Sequence, residues 1–442
     1  MEYSQRLSNV SVLGAAGKMG SGILLLMAHE LYSLSHQADN SKLNFKLNAI
    51  DISEEGLKGI MKYVEKLTSK SAQRKPDNIR QFFGDDMPEE EMIQAYVEGV
   101  MALIHPTTEL SAAFDSTLIF EAASENKDLK IKLLSEIDKN STVDPWFFTN
   151  TSSIPISYID EKAGLAGRIL GYHFYNPPAV QRLVELITTS STLPGLKDTA
   201  EKLAGRIRKI IVPSNDIAGF IGNGHFMRDA LYGISEVEKL QEEMSFVNAV
   251  YTINTVSQKF LIRPMGIFQL CDYVGLDVVQ FIMKVMDPYI EGESLHSDLL
   301  DEMVAAGVKG GQNPDGSQKN GFLKYEEGRI TGVYDLKSGT YADAKSVKTE
   351  AGEYLGALPE NYKPWKEIVK DPDKEKLLDD IFTNMRNMDA RGAKLAIAYG
   401  KNSRKIGLKL VKDGVAQNEN DVNKVLFTGF FHAYGPVNEY FG

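Results

Sequence analysis

The stretch that most limits the fold lies near the N-terminus. Asn9-Val-Ser-Val-Leu13 is followed by Gly14-Ala-Ala-Gly17-Lys-Met-Gly20 and then by the apolar run Gly22-Ile-Leu-Leu-Leu-Met27. An alternating strand feeds a turn with three glycines, and the turn opens a helix. That order begins a parallel α/β sheet, and such a loop cradles a pyrophosphate on a helix N-terminus. Gly14 permits the tight turn, Gly17 lets backbone approach phosphate, and Gly20 lets helix pack on strand. The spacing, GxxGxxG, is one residue longer than GxGxxG. A glycine-rich turn without a ligand has the same composition, so the reading needs support from the rest of the chain.

Phe45-Lys-Leu-Asn-Ala-Ile50 reads as the next strand and ends in Asp51. An acid at that tip suits the ribose hydroxyls of an adenosine and opposes a 2′-phosphate. It equally suits a cap for the helix starting at Ser53-Glu-Glu. Asp51 comes later than the usual spacing of about 20 residues, because residues 31–42 read as an extended helix plus loop. From Glu54 to about residue 105 the pattern is charged and helical, with breaks at Lys75-Pro76 and Gly84-Asp-Asp86, which predicts a helical excursion over the site. Residues 117–120 are the next buried strand, followed by Glu121-Ala-Ala-Ser-Glu125-Asn126. Trp146-Phe-Phe148 is another, followed by Thr149-Asn150-Thr-Ser152-Ser153. In an open α/β sheet ligands gather beyond the carboxyl ends of the strands, and the glycine loop, Asp51, Glu121 and Ser152 all fall there.

A second constrained stretch is Gly171-Tyr-His-Phe-Tyr-Asn-Pro-Pro-Ala-Val-Gln-Arg-Leu-Val-Glu-Leu-Ile187. It reads as two short strands around a Pro-Pro turn, since Pro177 and Pro178 cannot donate to a ladder. Folded back antiparallel about Ala179, the strands set His173 opposite Glu185, within side-chain reach. A carboxylate beside an imidazole fixes its tautomer and raises its basicity, the geometry of an oriented general base. A structural cross-strand ion pair has the same spacing.

A net charge of -11 argues against a nucleic-acid partner. The one cysteine, Cys271, excludes an intrachain disulfide, reads as a small buried hydrophobe and fits a reducing, cytoplasmic setting. No apolar run approaches the ~18 residues of a membrane span. The N-terminus lacks a signal peptide's basic-then-apolar order. Seven scattered histidines show no metal-ligand spacing, so no metal is expected.

A boundary is expected at Pro213-Ser-Asn-Asp-Ile-Ala-Gly219, and a helical pattern follows from Phe220-Ile-Gly-Asn223-Gly-His225, where His225 reads as a partly exposed helix residue. The run from Asn313-Pro-Asp-Gly316 to Gly339 is rich in turn residues and is expected to be a surface excursion or linker. A last helical region begins near Trp365, with Leu377, Leu378, Ile381, Met385 and Met388 at helix spacing. At a fixed offset, Asn254, Val256 and Gly266 recur as Asn423, Val425 and Gly435, which suggests a duplicated helical module. The expected division is therefore 1–213, 214–330 and 331–442.

Together these motifs resemble the 3-hydroxyacyl-CoA dehydrogenase family. The matching pieces are Val12-Leu-Gly-Ala-Ala-Gly-Lys-Met-Gly20, Glu121-Ala-Ala-Ser-Glu-Asn126, Asn150-Thr-Ser152-Ser153, His173-Phe-Tyr-Asn176-Pro, Leu183-Val-Glu185, Gly219-Phe-Ile-Gly-Asn223, and Pro264-Met-Gly266 through Asp272-Tyr-Val-Gly-Leu-Asp277, in family order over residues 8–280. Lys319-Asn-Gly-Phe-Leu-Lys-Tyr325 resembles the segment that closes the first helical module in longer, two-module members.

The resemblance implies an α/β Rossmann-type doubly wound domain followed by mostly α-helical C-terminal domains. It implies oxidation of an L-3-hydroxyacyl-CoA to the 3-ketoacyl-CoA with NAD, of the fatty-acid β-oxidation type, and a homodimer. It makes His173 the general base, Glu185 its orienting partner, and Ser152 and Asn223 the holders of the reacting oxygen, with Asn176 in the same substrate pocket. It makes Gly14, Gly17, Lys18, Met19, Gly20, Asp51, Ile52, Glu121 and Asn150 the cofactor contacts. Two further readings stay open: an NAD-dependent dehydrogenase of a free hydroxy acid, such as a sugar acid or a carnitine-like one, and a non-catalytic NAD-binding protein on this scaffold. The chain departs from the family pattern in its longer glycine loop, in residues 31–42, and in Gly222 and Gly224 around Asn223.

Overall fold

The alternating run Asn9–Leu13 forms strand β1, the centre of a sheet that fills the first of two units, Met1–Asp216. The second unit is Ile217–Gly442. The computed structural model describes residues 1–84, 86–313 and 316–442.

In the first unit β2 is Lys46–Ile50, β3 Ile104–Thr107, β4 Leu118–Glu121, β5 Trp146–Thr149, β6 Ile169–Phe174, β7 Leu183–Ile187 and β8 Ile210–Ser214. The sheet order is β3-β2-β1-β4-β5-β6-β7-β8. Strands β1 to β6 pair in parallel, β7 runs antiparallel to β6, and β8 is parallel to β7. The chain therefore winds outward on both sides of β1, which puts the switch point of a doubly wound sheet beside that strand. Val10, Val12, Leu47, Phe120, Phe147 and Phe148 are buried, because helices cover both faces of a parallel sheet.

The edge strands β3 and β8 were not legible in the sequence. Each carries a proline, Pro106 and Pro213, which weakens a strand pattern and is tolerated at a sheet edge.

The helix Lys18–Ser35 covers β1 with Ile23, Leu24, Met27, Ala28 and Leu31, which recur at three- and four-residue steps. The predicted excursion consists of the helices Glu54–Arg74, Asp77–Arg80 and Glu89–Ala102. Ser53 caps its first helix by accepting from the Gly56 N–H. The excursion seats on the helix Lys18–Ser35 through Tyr32, whose ring meets Phe82 at 5.3 Å and Tyr96 at 4.9 Å. The break expected at 84–86 includes Asp85, which lies outside the described residues.

The second unit is mostly helical, with its core on the helices Phe220–Leu240, Phe246–Thr255, Ile267–Val274, Leu276–Met286 and Arg391–Lys412. Of the two expectations for the turn-rich run, surface excursion or linker, the linker is corrected: β9 Leu323–Glu326, β10 Arg329–Asp335 and β11 Thr340–Asp343 form an antiparallel sheet. Glu327 and Gly328 both take positive φ, +49° and +75°, as a two-residue hairpin requires. Buried Asp272 anchors this sheet, accepting from the Phe322 N–H at 2.7 Å, the Leu323 N–H at 2.9 Å and the Tyr325 hydroxyl at 2.9 Å. Pro314 and Asp315, in the same run, lie outside the described residues.

The positions of the internal repeat make similar local contacts. A Cβ on Gly266 would collide with the side chain of Asn254, and one on Gly435 with that of Asn423. The Oδ1 atoms of these asparagines accept from the Gln269 and Val437 N–H groups at 3.1 and 2.9 Å. No helix among the described residues is long and apolar enough to cross a membrane.

Candidate active site

At the end of β1 the chain must turn at once into a helix, and glycine makes this possible. Gly14 has φ +72°, and a Cβ there would lie 2.6 Å from the Ala122 carbonyl oxygen. Ala122 follows β4, so the loops after β1 and β4 touch across the switch point. A Cβ on Gly20 would run into the Gly14 carbonyl, so the helix sits directly on the turn. Gly17 is the extended N-cap, donating to Gly14 O at 3.0 Å. Lys18 and Met19 form the first helical turn; Lys18 is exposed and Met19 packs on the unit's core. The first N–H groups of a helix have no partner within it and carry partial positive charge, so this cradle fits a pyrophosphate.

Asp51 Oδ2 accepts from the Ala16 N–H at 3.0 Å and Oδ1 from the Ser53 N–H at 3.1 Å. Ser53, not Asp51, supplies the helix cap. Asp51 thus ties the glycine turn to the tip of β2, half-buried, with Ile52 beside it 97% exposed.

Glu121, expected as a cofactor contact, has a wholly buried carboxylate. Its oxygens lie 2.7 and 2.9 Å from Lys130 Nζ, and they also accept from the Thr149 hydroxyl at 2.6 Å and the Ala123 N–H at 2.8 Å. Lys130 Nζ also reaches Glu125 Oε2 at 3.3 Å. Glu125 Oε1 clasps the next loop, accepting from the Thr151 hydroxyl at 2.5 Å, the Ser152 N–H at 2.9 Å, and the Ser153 N–H and hydroxyl at 3.1 and 2.9 Å.

Burial alone would push the Lys130 ammonium down and the Glu125 carboxyl up. The mutual attraction and the loop's donors outweigh it, so Lys130 is raised and Glu125 lowered. No motif marks Lys130 and Glu125 in the sequence; the available signal is a lysine on the buried face of the helix Lys127–Asn140, in line with Leu134 and Ile137.

The Pro-Pro hairpin pairs His173 directly with Glu185 in the β6–β7 register, beside Gly171↔Ile187 and Phe174↔Val184. His173 Nδ1 lies 3.4 Å from Glu185 Oε1, with the carboxylate fully buried. The Tyr175 hydroxyl donates to the same Oε1 at 2.6 Å, a contact no sequence pattern had flagged. Asn150 Oδ1 accepts from the Phe174 N–H at 2.8 Å, so it braces the end of β6 next to His173. Asn176 precedes a cis peptide to Pro177, and the Pro177 carbonyl accepts from the Val180 and Gln181 N–H groups at 3.0 and 2.9 Å. Ser152 is half-buried at the end of β5.

The first unit thus gathers the glycine turn, Asp51, Asn150, Ser152, His173, Asn176 and Glu185 on the loops and strand ends of one sheet. Asn223 belongs to the second unit, in the first turn of the helix Phe220–Leu240, after Gly219 at φ +83°. His225 on that helix is corrected from partly exposed to buried: Nε2 meets Ser403 Oγ at 3.1 Å, and burial pushes its pKa down to about 4.

Comparison with known proteins bears on this arrangement. The family profile described as "3-hydroxyacyl-CoA dehydrogenase, NAD binding domain" matches residues 9–217, and "3-hydroxyacyl-CoA dehydrogenase, C-terminal domain" matches residues 236–320. A "Probable 3-hydroxybutyryl-CoA dehydrogenase" of Deinococcus radiodurans is 32% identical over 233 residues, 52% of this chain and 78% of that protein. The "Fatty acid oxidation complex subunit alpha" of Shewanella baltica is 28% identical over 348 residues, 78% of this chain; the match spans only 44% of that relative's length. In fold, the chain is similar to the crystal structure of 3-hydroxybutyryl-CoA dehydrogenase from Escherichia coli, with a TM-score of 0.65, 19% identity, and coverage of 98% of this chain and 90% of that one.

Proposed function

The chain belongs to the 3-hydroxyacyl-CoA dehydrogenase family, and from that premise we propose that it interconverts an L-3-hydroxyacyl-CoA and a 3-ketoacyl-CoA with NAD(H). NAD, when bound, supplies the hydride acceptor. The glycine turn and the N-terminus of the helix Lys18–Ser35 receive its pyrophosphate, and Asp51 its ribose hydroxyls. His173 takes the substrate's hydroxyl proton at Nε2, since Nδ1 is turned to Glu185. An imidazole starts near ~6.5, the range a base needs at neutral pH.

Glu185 orients the ring and stabilises the imidazolium that forms. Ser152 holds the reacting oxygen, where polar donors stabilise developing charge. Asn176 lines the same pocket. Glu125, paired with Lys130, holds the Ser152 loop. By the same family reading, the enzyme works in the cytoplasm as a homodimer.

The observation that supports this most is the paired His173 and Glu185 on the sheet that also carries the glycine cradle at its switch point. The test compares NADH oxidation with acetoacetyl-CoA against NAD reduction with free hydroxy acids. Turnover of the thioester alone is expected. Turnover of free acids alone would move the substrate class to those acids, and no turnover with either would overturn catalysis.

A further inference from the structure

We propose that Tyr175 is a positioning residue that tempers the proton affinity of His173 by sharing the carboxylate of Glu185, on the reading that His173 is the base. The geometry is a competition for one atom. Glu185 Oε1 accepts from the Tyr175 hydroxyl at 2.6 Å and faces His173 Nδ1 at 3.4 Å. The first is a short charge-assisted hydrogen bond, and the second is beyond ordinary N–H···O length. The two rings lie side by side, centroids 5.0 Å apart and tilted by 45°. Burial, and then the adjacent Glu185 charge, hold the Tyr175 phenol well above its ordinary range, so it stays protonated and donates.

The β8 partner of Glu185 is the apolar Val212. At the turn, the Lys209 ammonium is committed to the carbonyls of Pro178 and Gln181, at 2.5 and 2.6 Å.

The consequence follows from charge. A buried carboxylate facing an imidazole stabilises the imidazolium. A protonated ring cannot accept the substrate's proton. Charge drawn toward the phenol is withheld from the imidazole, which weakens the ring's hold on a proton.

The test is an NMR titration of the His173 ring in the ligand-free protein, with no substrate involved. Tyr175→Phe should raise the titration midpoint by about half a pH unit to one. In a Glu185→Gln background the same substitution should leave it unmoved. Replacing Tyr175 with 3-fluorotyrosine keeps the ring and strengthens the donor, and should lower the midpoint; this variant answers the question if the phenylalanine one fails to fold. A midpoint unchanged or lowered by Tyr175→Phe, an equal rise in the Glu185→Gln background, or a rise with fluorotyrosine would each overturn the proposal. In the active enzyme, the pH profile of kcat/KM with acetoacetyl-CoA should move with the titration. Absence of thioester turnover in the unsubstituted protein would sink the dehydrogenase reading and leave the titration to judge Tyr175.

Discussion

At the scale of single residues, an acid at a strand tip can end up in two different environments. Asp51 and Glu121 both close parallel strands, and the sequence pattern offers both to the cofactor. Asp51 stays half-buried at the end of β2, tied to Ala16 and Ser53 by backbone donors. Glu121 turns inward to Lys130. The difference lies in a lysine nine positions downstream, which one-dimensional spacing does not reveal. If Asp51 faces the ribose, its charge opposes a 2′-phosphate, so the protein should use NADH in strong preference to NADPH. Asp51→Asn removes the charge and keeps the shape, and should narrow the ratio of kcat/KM for the two cofactors by about tenfold or more, 1.4 kcal/mol. Equal use of both cofactors by the unsubstituted protein would contradict the assignment.

At the scale of elements, the clamp of Glu121, Lys130 and Glu125 joins β4, the helix Lys127–Asn140 and the loop after β5. Removing one partner of a buried ion pair leaves uncompensated charge, which costs about 3–5 kcal/mol. Lys130→Met strands two carboxylates and should destabilise the first unit by about that much in urea unfolding; a loss below about 1 kcal/mol would show that the clamp is not electrostatically important. The pH dependence has a definite sign. Glu125 is held below its unfolded value of about 4.3, so its contribution is present above that pH and is lost as pH falls through the lowered value. Glu125→Gln should therefore flatten the acid limb of the stability curve.

Elements also differed in how legible they were. The His173–Glu185 register could be read because a Pro-Pro pair fixes the fold-back point and strand periodicity does the rest. β3 and β8 were obscured by their prolines, and β9 to β11 by turn residues that serve tight hairpins rather than a linker.

At the scale of the whole molecule, the doubly wound sheet and the helical second unit were legible from the order of the glycine turn, buried strands and helical runs. The clamp around the Ser152 loop and the phenol of Tyr175 were not, since each depends on side chains brought together by tertiary packing. The central claim, that His173 and Glu185 act as one base, is tested most directly by a double-mutant cycle on kcat for the thioester reaction. Losing a positioned base costs about 10²–10⁴ in rate, so His173→Ala should lower kcat by that much with NADH affinity nearly unchanged. Glu185→Gln should lower kcat as well, and the double variant should be little worse than His173→Ala alone, because residues serving one function are not additive. Losses that multiply, or near-normal turnover by His173→Ala, would contradict the account.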